Sequence, residues 1–203
     1  IGSHTAIELA AAGYTPVILD NYANSEPSVL NRIEQIIGRP ITAYEGDVRD
    51  PAVLRRVFTE QPVSAVIHFA AHKAVGESVA KPLAYYQNNL ESTLAVFEAM
   101  KEHSVKGFIF SSSATVYGNP SELPLKESSR VGVGITNPYG WTKYFNEQIA
   151  HDLTVADPSL RFVTLRYFNP IGAHESGLIG ENPRDIPNNL MPYIARVASR
   201  ALA

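Results

Sequence analysis

Phe108-Ile109-Phe110-Ser111-Ser112-Ser113-Ala114-Thr115-Val116-Tyr117-Gly118 is the stretch from which the architecture of this chain can be read. A short apolar run followed by small hydroxyl residues reads as a buried strand opening at its carboxyl end, where open α/β sheets hold their ligands. Further along stands Asn137-Pro138-Tyr139-Gly140-Trp141-Thr142-Lys143. A proline in the first turn sets φ for a helix start, and no second proline follows until Pro158, so Tyr139 and Lys143 fall on one helix face. An ammonium beside a phenol favours the phenolate, so Lys143 is expected to lower the Tyr139 pKa and make it a general base. Such a pair alone is common on solvated helices. The hydroxyl-rich strand end is what adds a third group, Ser113, to the phenol and the cation.

The rest of the chain alternates in the same style. Gly2 to Ala12 has a helical pattern that Gly13 ends as a C′ residue. Pro16-Val17-Ile18-Leu19-Asp20 reads as a buried parallel strand, Val29 to Ile37 as a helix, Ile41 to Tyr44 as a strand, and Asp50 as the N-cap of a helix beginning at Pro51. Ala65-Val66-Ile67-His68 is a strand expected to be buried on both faces, and the small Ala70-Ala71 pair behind it lets a ligand approach the backbone. Arg161 to Phe168 is a further strand. Strands alternating with helices predict an α/β, Rossmann-type doubly wound parallel sheet. Asp20 lies 18 residues after Gly2, near the spacing at which an acid takes the adenosine ribose hydroxyls of NAD, although a strand-end turn aspartate explains it equally well. A carboxylate there would repel a 2′-phosphate, which favours NAD over NADP.

The Ser-Ser-Ser-Ala-Thr-Val-Tyr-Gly and Pro-Tyr-Gly-Trp-Thr-Lys stretches resemble the extended short-chain dehydrogenase/reductase family, most closely its UDP-hexose 4-epimerase branch, from the first residue to about Tyr193. The resemblance implies Ser113, Tyr139 and Lys143 as catalytic residues. It implies NAD contacts from Gly2, Asp20, Asn21, Asn24, Ser25, Asp47, Val48, Phe69, Ala70, Lys73, Asn88, Tyr139, Lys143 and Tyr167. Lys73, Ser113, Tyr139, Phe168, Asn169, Asn188, Asn189 and Leu190 would bind a UDP-sugar. By the same resemblance, Gly2 is the last glycine of a phosphate-binding fingerprint, so the first strand is expected to be missing from this chain, and the helical pattern at Ala201-Leu202-Ala203 is expected to be cut short. Residues 1–166 would form the NAD-binding part and 167–203 the start of a substrate-binding region.

The activity implied is interconversion of UDP-glucose and UDP-galactose by transient NAD-dependent oxidation at sugar C4. UDP-N-acetylhexosamines and UDP-pentoses remain alternative substrates, and a catalytically inactive truncated remnant is the alternative of another class. A 4,6-dehydratase would need an Asp-Glu pair where Ala114 and Thr115 stand.

Composition narrows the field. With 203 residues, 45% of them hydrophobic and 18% charged, the chain can bury one sizeable core. A net charge of -3 with no basic run argues against a nucleic-acid partner. Cysteine is absent, so neither disulfides nor thiolate metal sites arise, and the six histidines show no metal-ligand spacing. No run approaches the roughly 20 apolar residues that span a bilayer, and no secretory signal is seen, so no membrane partner and a cytoplasmic enzyme are expected. At about 100° per residue, Trp141 and Phe145 face away from Tyr139 and need cover. A neighbouring helix can supply it, or a second subunit; the resemblance implies a homodimer built from this helix and the one near Pro82 to His103.

Overall fold

The computed structural model describes residues 1–181 and 189–201, and within them the chain forms two compact units, Ile1–Asp47 with Asn169–Ala203, and Val48–Phe168. In the first, α1 (Gly2–Ala11), β1 (Val17–Asp20), α2 (Ser28–Ile37) and β2 (Thr42–Glu45) alternate, and the later stretch adds α7 (Leu190–Ala198). Gly13 closes α1 at φ 87° and Gly38 closes α2 at φ 71°, left-handed values that a side chain would resist. β1 and β2 run parallel, Val17 beside Thr42 through Asp20 beside Glu45, which brings Asp20 and the Gly46-Asp47 turn to the same end of the pair. Ile7, Ile33 and Ile179 form the core here, with Ile18, Val29, Ile36, Ile37 and Ile41 packed around them. Burying a side chain such as Ile33, only 1% exposed, contributes about 1.5–3 kcal/mol.

The second unit carries α3 (Pro51–Glu60), β3 (Ala65–His68), α4 (Val75–Ala80), α5 (Pro82–Glu102), β4 (Gly107–Ser113), α6 (Pro138–Ala156) and β5 (Arg161–Tyr167). Asp50 caps α3 as expected, accepting the Ala52 N–H at 2.8 Å. All strands are parallel in the order β3-β4-β5, and the register places Ser113 beside Tyr167. Phe108 and Phe110 project from β4 onto one face, where Phe97 of α5 meets Phe108 edge-on at 4.7 Å and stacks on Phe162 of β5 at 5.3 Å. Such pairs contribute about 0.5–1.5 kcal/mol beyond their buried area.

Burial on both faces of β3 is corrected. Ala65 is exposed, Val66 and Ile67 are half-buried and only His68 is buried, because among the described residues β3 pairs with β4 alone. β1 is half-buried throughout for the same reason, since among the described residues it pairs only with β2. No helix among the described residues is long and apolar enough to cross a membrane.

Candidate active site

β4 ends at Ser113, where the extended backbone turns into a single 3-10 turn, Ala114–Tyr117. The Ser113 hydroxyl accepts the Thr115 N–H at 3.2 Å, which fixes its position at the strand mouth. α6 begins opposite, with Pro138 in its first turn and Asn137 capping it by accepting the Gly140 N–H at 2.8 Å. A Cβ on Gly140 would stand 2.8 Å from Ile135 Cγ2 and 3.2 Å from Thr115 Cβ. That position is glycine because the helix must approach the 3-10 turn closely, and the approach delivers Tyr139 to Ser113.

The Ser113 hydroxyl favours the ionised form of the Tyr139 phenol, but burial, the larger effect, raises the phenol pKa above the ordinary tyrosine value. The sequence-based expectation of a phenol made acidic by Lys143 is therefore corrected for this state. The Lys143 ammonium lies 5.8 Å from the Tyr139 ring centre and donates instead to the Ser111 carbonyl at 2.6 Å. It also lies 4.9 Å from the Phe110 ring. Buried to 4% exposure, the lysine has its own pKa lowered to about 8. His68, ringed by Phe108 and Phe110, is held neutral with a pKa of about 3, by burial first and Lys143 second.

Around this centre, Tyr167 is half-buried beside Ser113, while Phe69, Ala70 and Lys73 follow the carboxyl end of β3. Asn88 is half-buried on α5 and donates to Asn89 Oδ1 at 3.0 Å. Val48 opens this unit, half-buried, and Phe168 closes it, 65% exposed. Within the other unit, Asp20 Oδ1 accepts the Tyr22 N–H at 2.7 Å and the Ser25 hydroxyl at 3.1 Å. Asn21 accepts the Ala23 N–H at 3.0 Å and donates to Asp47 at 3.4 Å; Asn24 is exposed in the same turn. Gly2 is the first residue of α1. Asn189 donates to Glu181 at 3.0 Å, and Leu190 and Asn169 are exposed. Asn188 lies outside the described residues.

Ser113, Tyr139 and Lys143 thus sit together at the carboxyl end of a parallel sheet, and residues 1–202 match the model of the NAD dependent epimerase/dehydratase family. The chain belongs to this family. It is 54% identical to the UDP-glucose 4-epimerase of Haemophilus influenzae, a match covering 100% of this chain and 60% of that protein. The human UDP-glucose 4-epimerase is 53% identical, with 98% and 58% covered. The crystal structure of the Bifidobacterium longum UDP-glucose 4-epimerase in complex with NAD+ and UDP superposes with a TM-score of 0.96 at 60% identity, covering 98% of this chain and 59% of that one. The chain therefore spans about three-fifths of the length of the relatives it matches.

For this family member, reading the sequence missed the groups that hold the candidate site residues. Glu147, one turn past Lys143, accepts the Ser112 hydroxyl at 2.5 Å and pairs with Arg166 of β5 at 2.8 Å. Arg166 also donates to the Tyr117 hydroxyl at 3.3 Å and the Glu127 carbonyl at 3.1 Å. A charged residue inside a strand, Arg166, 19 residues after a glutamate on the helix, was the available signal. Asn89 and Asn146, 1% and 2% exposed, tie α5 to α6. Asn89 was overshadowed by its neighbour Asn88.

Proposed function

We propose that the complete polypeptide carrying this chain is a UDP-glucose 4-epimerase that interconverts UDP-glucose and UDP-galactose and uses NAD. The observation that carries this reading is Ser113 at the mouth of β4 acting on the Tyr139 phenol, with the Lys143 cation buried beside them on the Ser111 carbonyl. The residues present fit the cofactor. Asp20 commits one carboxylate oxygen to its own turn and leaves Oδ2 without a hydrogen bond among the described residues, an acceptor suited to a ribose diol and hostile to a 2′-phosphate. Gly2, Asn21, Asn24, Ser25, Asp47, Val48, Phe69, Ala70, Lys73, Asn88, Tyr167 and Lys143 complete the set that would hold it.

NAD, when bound, supplies a nicotinamide ring that takes up and returns the hydrogen of sugar C4. Tyr139 holds and moves the proton of the C4 hydroxyl, and Ser113 hydrogen-bonds that oxygen as it becomes a carbonyl. A burial-raised phenol is a poor base until positive charge comes near it. Lys143 can supply that charge by leaving the Ser111 carbonyl, which makes this lysine an electrostatic partner of Tyr139. Lys73, Phe168, Asn169, Asn188, Asn189 and Leu190 would hold the UDP-sugar, the asparagines offering neutral donors to a diphosphate.

We read residues 1–166 as the cofactor part and 167–203 as the start of the substrate part. The parallel strands of each unit suit a Rossmann-type doubly wound fold. A homodimer through α5 and α6 is supported by the Trp141 and Phe145 rings, stacked at 5.6 Å, with Phe145, Val79, Leu83 and Leu94 exposed on these helices and α4. Tyr139→Phe in the complete protein should lower kcat for UDP-galactose by at least a thousandfold while UDP binding, measured calorimetrically, stays within about twofold. Retained turnover would remove Tyr139 from the chemistry.

A further inference from the structure

Lys73 sits in the short segment between β3 and α4, which is neither helix nor strand. That segment is pinned by two side chains of α5 spaced four apart, Tyr85 and Asn89, each 1% exposed. Asn89 Oδ1 accepts the His72 N–H at 2.8 Å and its Nδ2 donates to the His72 carbonyl at 3.0 Å, so both backbone groups of the residue before Lys73 are held by one amide. On the other side of Lys73, the Ala74 N–H donates to the Tyr85 hydroxyl at 3.1 Å, and that hydroxyl donates to Glu77 at 2.9 Å. Ala74 is the N-cap of α4 and has no capping side chain of its own; Tyr85 takes that part.

Asn89 reaches further. Its Nδ2 also donates to Thr142 Oγ1 at 3.0 Å, on α6 between Tyr139 and Lys143, and its backbone carbonyl accepts from Asn146 at 3.1 Å. Its Oδ1 takes the Asn88 amide as well. With two donors and two acceptors on its side chain, all used, a single amide ties the Lys73 segment, α5 and the catalytic helix together.

We propose that Tyr85 and Asn89 are positioning residues that hold the Lys73 ammonium at the diphosphate of the bound nucleotide and keep it in register with Tyr139. This rests on the reading of Lys73 as a phosphate ligand given above. Neither residue touches the reacting atoms. Their loss costs affinity for the diphosphate before it costs the chemical step.

The test uses the complete protein and UDP-galactose. Tyr85→Phe keeps the ring and removes the acceptor of the Ala74 N–H; Asn89→Ala removes both His72 bonds. Each should raise KM five- to twentyfold with a smaller loss in kcat, and the rise should vanish in a Lys73→Ala background. If Lys73→Ala raises KM but Tyr85→Phe multiplies it further by its full factor, the positioning role is overturned and the phosphate reading stands. If Lys73→Ala leaves KM unchanged, both fall. Should the wild-type protein not turn over UDP-galactose, the functional reading fails by itself, and amide exchange decides the clamp. Exchange at residues 72 and 74 at least tenfold faster in Tyr85→Phe or Asn89→Ala supports it, and unchanged exchange overturns it.

Discussion

Replacing Glu147 by glutamine should release the catalytic helix from the strand that carries Ser113. The carboxylate receives three hydrogen bonds from Arg166, at 2.8, 3.1 and 3.3 Å, and one from Ser112 at 2.5 Å. An amide keeps one acceptor and gains a donor; the Ser112 hydroxyl can turn to accept it, whereas Arg166 has only donors and loses part of its acceptor. Removing one partner of a buried ion pair costs about 3–5 kcal/mol. The Arg166 side chain is 21% exposed and keeps the Tyr117 hydroxyl and the Glu127 carbonyl, so part of the penalty is relieved and a loss just below that range, about 2–3 kcal/mol, is expected. Urea unfolding followed by circular dichroism should show a lower midpoint at unchanged slope. The partner control is Glu147→Gln with Arg166→Met, which should cost clearly less than the two single changes added together, since the stranded cation is gone. A single variant within about 0.5 kcal/mol of wild type, or strict additivity in the double, would refute the claim that this pair fastens α6 to β4 and β5.

Gly118→Ala should be the more damaging change: φ there is +59°, and a Cβ would stand 2.0 Å from the Val133 carbonyl oxygen and 2.7 Å from the Gly134 carbonyl carbon. Backbone, not a yielding side chain, is struck, so a loss of at least about 3 kcal/mol and a displaced Asn137 cap are expected, read as lower soluble yield and a lower melting temperature. Lys143→Met should do the opposite to stability while abolishing turnover. Burial lowers the folded-state pKa of Lys143 from 10.5 to about 8, so between those values the unfolded chain binds the proton that the folded chain does not. Wild-type stability therefore rises with pH through that window and is flat with respect to this group below it. At pH 7 the variant escapes the cost of a buried charge, and after losing the Ser111 bond it should gain on the order of 1–3 kcal/mol; equal stability profiles from pH 7 to 10.5 would show that the lysine is not desolvated.

Helix and strand order was legible because the punctuation was strong. Gly13 and Gly38 stand where left-handed backbone ends a helix, and Asp50 and Asn137 cap helices whose first residue is proline. The placing of Ser113, Tyr139 and Lys143 together was legible because a strand end and a helix start each carry a compact motif. Burial of β1 and β3 was overestimated, since apolar composition does not show which strands are present to pair with them among the described residues. The direction of the Tyr139 shift was also beyond reach. Spacing of four residues places a phenol and an ammonium on one face, but the ammonium's bond to Ser111 comes from a residue 32 positions away. Long-range polar partners, such as Arg166 for Glu147 across 19 positions, leave no periodic trace in either segment.

The Tyr139 result bears on how the site works. In the state described, the phenol is raised by burial and the neighbouring lysine is lowered by the same cause, so both neutral forms are favoured at once. A neutral phenol beside Ser113 is a proton donor, the form that the proposed reaction would need when a sugar carbonyl is reduced back to an alcohol. The opposite half-reaction needs an acceptor. Since desolvation disfavours every isolated charge here, phenolate can form only together with a nearby cation, and Lys143 is the buried cation closest to it in this arrangement. Its present bond to the Ser111 carbonyl holds it off the phenol, so a ligand that draws the ammonium away from Ser111 would switch Tyr139 from donor to acceptor. On the proposed function, a ribose hydroxyl competing for that ammonium is the kind of group that would do so.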